Sequence, residues 1–181
     1  FECIKPYFEK MEIKYEFSVL PNAYRKDTIN EYDFRDVPDD RQYSFTNSLV
    51  QEDENGLFIE FPISSFEIKN LNKIINGLYY RLLKNSERLK CYGDGESIST
   101  DINKSGNSDK SSFLKMIMPA SVEILNPVIL KIYKKRVRKN NYFHLLSHPK
   151  LLTAESFFQL EKLLKFINKK FIVEKLDTIL P

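Results

Sequence analysis

Gly56 to Leu82, GLFIEFPISSFEIKNLNKIINGLYYRL, changes its hydrophobic period partway along, and that change decides the fold class. Gly56 opens a short apolar run, Leu57 to Ile63, that reads as a strand. Pro62 has no N–H to give to a ladder and so marks an edge or a strand end. From there Ile68, Leu71, Ile74, Ile75, Leu78 and Leu82 recur at the spacing of one helix face, which predicts a helix packed against a sheet.

The same alternation of element types extends outward in both directions and favours an α/β architecture over a bundle or a sandwich. Upstream, Pro6 suits the first turn of a short helix ending near Met11. Lys14 to Leu20 (KYEFSVL) then alternates Tyr15, Phe17 and Val19 against Glu16, Ser18 and Leu20, a strand with one polar-bearing face. Residues 21–55 are rich in Asp, Asn, Arg and Tyr with little periodicity and read as a long irregular loop, a length at which loops often carry function. Downstream, Val122, Leu125, Ile129, Ile132 and Tyr133 predict a helix that ends in the basic run Lys131 to Lys139, where cations favour the negative end of the dipole. A further helix has Thr153 as N-cap, Glu155 in its first turn and the stripe Phe157, Leu160, Leu163, Leu164 and Ile167. Phe171 to Leu176 reads as a closing strand.

The 181 residues suit one domain or a large part of one, and they show no internal repeat. The 28 Lys and Arg against 25 Asp and Glu leave +3, too small a field to select nucleic acid, so no nucleic-acid partner is expected. Cys3 and Cys91 are too few to frame a disulfide fold, which leaves the compartment open between cytoplasm and cell envelope. No stretch approaches the roughly 18 apolar residues of a membrane span, and no basic-then-apolar signal pattern opens the chain. The chain begins at Phe1, without an initiator methionine, on a segment that reads as mid-domain.

Gly93 to Ser112 (GDGESISTDINKSGNSDKSS) has too little apolar surface to order itself and reads as a flexible polar loop. Within it Asp101, Asn103, Ser105, Gly106, Asn107 and Asp109 occupy the first, third, fifth, sixth, seventh and ninth places of a calcium-loop pattern. The twelfth place is Ser112, which cannot supply the bidentate carboxylate that closes such a site.

Both histidines lie in YFHLLSHPK, Tyr142 to Lys150. On a helix, His144 and His148 would share a face and suit a metal. The segment is instead short, apolar and stopped by Pro149, so it reads as a strand, on which four residues span about 13 Å. Two histidines on one zinc need their nitrogens within about 4 Å of each other, so the pair is not expected to chelate one ion. The period of two puts Tyr142, His144, Leu146 and His148 on one face, with His144 deep and His148 at the C-terminal end, the end where barrel enzymes gather their chemistry. The competing reading for each is a structural histidine with its hydrogen bonds satisfied.

Four segments, IKYEFSVLP (Ile13 to Pro21), EYDFRDVP (Glu31 to Pro38), GLFIEFPIS (Gly56 to Ser64) and FHLLSHPKLLT (Phe143 to Thr153), together resemble the C-terminal half of polysaccharide deacetylases with the NodB-homology domain. The resemblance implies the C-terminal part of a distorted (β/α)7-type barrel, incomplete in this chain. It also implies hydrolysis of N-acetyl groups on the amino sugars of a bacterial cell-surface or capsular polysaccharide, with a divalent metal, zinc by expectation, activating the water. In that scheme a late histidine protonates the leaving amine, and the matching position is His148. Imidazole near its ordinary pKa suits that task. The metal ligands and the catalytic base would lie before Phe1, so no metal or other cofactor is expected in this chain alone. Glu16 stands where the family often has Asp; with His144 it is a candidate for the wall of the site. Tyr24, Tyr32, Phe34, Tyr43 and Phe45 either stack on a sugar or anchor their loop to the core. The alternative function is a non-catalytic carbohydrate-binding or scaffold remnant of the same fold.

Overall fold

The computed structural model describes residues 1–26, 31–93 and 116–172. They form a mixed α/β fold of four α-helices and three small sheets, which do not close a barrel. The polar loop with its calcium-like pattern and most of the expected closing strand lie outside the described residues; Phe171 and Ile172 are exposed and belong to no strand. The chain divides into two compact units: among described residues the first holds 1–70, 116–120 and 137–146, and the second holds 71–93, 121–136 and 147–172.

In the first unit, α1 (Lys5–Lys10) starts with a proline in its first turn and ends at Met11, as Pro6 predicts. The strand expected over Lys14 to Leu20 shortens to β1 (Tyr15–Glu16). Residues 21–55, read as irregular, contain three short strands: β2 (Tyr24–Lys26), β3 (Glu31–Asp33) and β4 (Tyr43–Phe45). Strands of three residues are too short to show a period, and for that reason the sequence hid them.

The run after Gly56 forms β5 (Phe58–Glu60), the central strand of the main sheet: parallel to β1 with Tyr15 opposite Ile59, and antiparallel to β4 with Phe45 opposite Phe58. It stops before Pro62, as the missing donor requires. A Cβ at Gly56 would fall 2.4 Å from the Phe45 backbone nitrogen, so only glycine fits beside β4. Val19, Val37, Tyr43, Phe45 and Phe58 form the core, with Phe1 and Phe8 packed edge-on to Phe58 at centroid distances of 5.4 and 5.8 Å. Each such aromatic contributes about 2–3 kcal/mol by leaving water. Tyr43 and Phe45 are therefore loop anchors, not sugar contacts.

Ile68, assigned from the sequence to a helix, belongs to β6 (Ser65–Ile68), which pairs antiparallel with β7 (Met116–Pro119). The helix itself, α2 (Asn70–Leu82), belongs to the second unit from Leu71 onward. Its predicted apolar face does not pack as expected: Leu71, Ile74, Ile75, Leu78 and Leu82 are all exposed. The next helix, α3 (Pro127–Lys139), begins later than its apolar pattern, because Val122 and Leu125 are buried in the turn that precedes it. The last helix, α4 (Ala154–Lys170), has the predicted Thr153 cap. Its buried face is nevertheless Glu155, Ser156, Gln159 and Leu163, while Phe157 and Leu164 of the predicted stripe face water. Glu155 is held there by Gln159 Nε2 at 2.6 Å and by Arg88 at 2.5 Å, so hydrogen bonds and charge take the place of apolar packing.

Candidate active site

His148 sits in extended backbone ahead of the 3-10 turn Pro149–Leu151, where a residue preceding proline is sterically driven to be. Leu151 N–H closes the turn on His148 C=O at 2.9 Å. No strand is assigned over Tyr142 to Ser147, although Leu146 N–H donates to Ala120 C=O at 3.0 Å; His148, the next residue, is half-exposed at 54%.

Facing it is a residue that the sequence did not single out. Glu123 Oε1 lies 2.5 Å from His148 Nδ1 and also accepts the His148 backbone N–H at 3.1 Å. A carboxylate only accepts, so Nδ1 carries the proton in this contact and Nε2 is the ring nitrogen left for exchange. Glu123 is deeply set, its side chain 6% exposed, and its Oε2 is buried without a hydrogen-bond partner.

The turn that carries Glu123 is pinned on both sides. Ser121 N–H donates to the Tyr133 hydroxyl at 2.7 Å and Tyr133 donates back to Ser121 C=O at 3.0 Å; burial drives the phenol pKa far upward, opposed by the Ser121 hydrogen bond and reinforced by the negative charge of Glu123. On the other side, Asn126 Oδ1 caps α3 by accepting Val128 and Ile129 N–H at 2.9 and 3.1 Å. Nothing in VEILN marks Glu123 as a partner for His148, since 25 residues separate the two.

His144 belongs to the first unit and is tied three ways. Its Nδ1–H donates to Phe61 C=O at 2.9 Å, its backbone N–H donates to Ser64 Oγ at 2.9 Å, and its carbonyl accepts Ser64 N–H at 3.1 Å. The ring also meets Phe17 edge-on at 5.8 Å. These contacts give it a structural place with one ring nitrogen spoken for.

Glu16, partly buried on β1, stands opposite Glu60 in the parallel register. Glu60 is the second residue that the sequence reading passed over. It is 0% exposed, its Oε1 accepts Val19 N–H at 3.0 Å, and its Oε2 has no partner. Burial, reinforced by the negative charge of Glu16 and opposed by the Val19 N–H, raises its pKa to about 7. The signal was present: in LFIEFP, Phe58 and Glu60 share one face of a strand, so a carboxylate had to point into the core.

These carboxylates and histidines do not offer a divalent ion a ligand set. Among the described residues, no three His, Cys, Asp or Glu are grouped to hold a metal. The first unit has a polar hollow of about 350 Å³ over Thr46 to Glu54 and the second a groove of about 440 Å³ lined by Ile75, Tyr79, Val128 and Lys131; no histidine lines either. What the Glu123–His148 pair can do by itself is hold an imidazole in one orientation and deliver or take a proton at Nε2. No helix among the described residues is long and apolar enough to cross a membrane.

Compared with known proteins, the chain matches no family model, no curated protein and no solved structure.

Proposed function

We propose that this chain is the C-terminal portion of a metal-dependent polysaccharide deacetylase, in which His148 is the general acid and Glu123 holds it in place. The observation that carries the reading is the contact of His148 Nδ1 with the buried Glu123 carboxylate, at the position which the family resemblance assigns to a late catalytic histidine. Amide hydrolysis expels an amine, a poor leaving group until it is protonated. An imidazolium whose Nδ1–H is anchored to a carboxylate offers its Nε2–H to that nitrogen, a contribution of typically 10²–10⁴-fold in rate. A β/α barrel for the complete protein rests on the resemblance: β1 pairs parallel with β5, β4 pairs with it antiparallel, and no helix lies between β1 and β5 among the described residues. The metal and its ligands belong to the part of the reading drawn from the resemblance alone, as does the amino-sugar substrate.

The test is acetate release from an N-acetylated polysaccharide by the complete protein. Replacing Glu123 with alanine frees the ring and is expected to lower turnover on the order of 10-fold or more while leaving substrate affinity near wild type, since the tautomer and orientation of His148 are lost. Unchanged turnover would remove Glu123 from the mechanism.

A further inference from the structure

The second unit exposes three aromatic rings, Tyr92 on a segment tied to Leu152 and two on α4. Tyr92 is 68% exposed and lies 5.8 Å from Phe157 between centroids; Phe157 and the adjacent Phe158 are also exposed. Tyr92 is fixed to the turn by its backbone. Its N–H donates to Leu152 C=O at 2.9 Å, Cys91 pairs with Thr153 in a β-bridge, and Gly93 packs so tightly on the chain that an added Cβ would lie 2.5 Å from Lys150 Cα. The exposed ring thus sits on a segment whose backbone is tied to Leu152, four residues past His148.

Cations border the rings. Lys162 Nζ lies 3.9 Å from the Phe158 centroid and the Arg88 guanidinium 5.3 Å from it. Arg88 is anchored by the buried Glu155, whereas Lys162 is engaged by no carboxylate among the described residues. Exposed aromatic faces suit the C–H faces of a pyranose, and ammonium and guanidinium groups suit a carboxylate on the next sugar.

We infer that Tyr92, Phe157 and Phe158, with Lys162 and Arg88, form a subsite for an acidic, N-acetylated glycan chain and lay it along the turn that carries His148. The inference rests on the reading of His148 as part of a carbohydrate-active site and adds the charge and binding face of the substrate. It is tested by calorimetric titration of the 181-residue chain with a hyaluronan octasaccharide, which alternates N-acetylglucosamine and glucuronate, and with a neutral N-acetylglucosamine hexamer. Hyaluronan is expected to bind at least 10-fold more tightly than the neutral probe. Tyr92→Ala should weaken hyaluronan binding 10-fold or more, and Lys162→Gln should narrow the preference for the acidic probe. Both side chains are exposed, so neither change threatens the fold, and far-ultraviolet circular dichroism checks this. Equal binding of both probes, no binding of either, or a Tyr92→Ala variant that binds as wild type would overturn the inference. So would rings that serve only self-association, seen as a dimer that Tyr92→Ala dissolves without any glycan effect. Failure of the catalytic reading shows in acetate release by the complete protein, and failure of the subsite shows in glycan binding.

Discussion

Glu60 carries the clearest energetic consequence of any single residue. Its carboxyl is buried beside Glu16 with one oxygen unpaired, and its pKa rises to about 7. The folded state thus holds a proton that the unfolded chain gives up at the ordinary carboxylate value. Stability is greatest below that ordinary value, falls as pH rises towards 7, and stays lower above it, by on the order of 3 kcal/mol. Glu60→Gln keeps an acceptor for Val19 N–H and cannot ionise. Urea melts of the variant should match wild type near pH 4 and show a clear gain at pH 8; a variant no more stable than wild type at pH 8 would contradict the assignment. At this scale legibility was uneven. His148 stood out because it precedes a proline at the end of an apolar segment. Glu123 did not, since a contact across 25 residues leaves no trace in local spacing.

Element ends were more legible than element faces. Thr153 was readable as an N-cap, and the structure completes a capping box: Thr153 Oγ1 accepts Ser156 N–H at 3.1 Å and Ser156 Oγ accepts Thr153 N–H at 2.9 Å. Thr153→Ala should cost about 1 kcal/mol in a urea melt; no loss would mean that the cap is idle. Faces depend on what surrounds them. The stripe of α2 has helical spacing yet stays in water, whereas α4 buries a carboxylate and an amide where periodicity pointed to Phe157 and Leu164. Because Ile74 and Leu78 are exposed, replacing both with serine should change stability by less than about 1 kcal/mol. The same change should reduce any concentration-dependent association seen by sedimentation velocity, since an exposed apolar row of this kind promotes it. A large loss of stability would show that α2 is packed in solution.

For the whole molecule, the mixed α/β class was legible because the switch of period from two to 3.6 is a local property that survives in β5 and α2. The division into two units was not, because it depends on which distant segments meet: β7, for example, joins β6 across a gap of dozens of residues. The proposed function unites an observation of geometry with a family resemblance. Its two parts are separable, since the proposal takes metal binding from the resemblance alone and assigns proton transfer to His148. The 181-residue chain alone should accordingly take up no stoichiometric zinc at neutral pH, as read by atomic absorption after dialysis; one tightly held ion would place metal ligands within it. The most direct measurement is acetate release from an N-acetylated polysaccharide by the complete, metal-loaded protein and its His148→Ala variant. The account predicts a fall in turnover on the order of 100-fold or more with metal content unchanged, and an unaltered rate would contradict it.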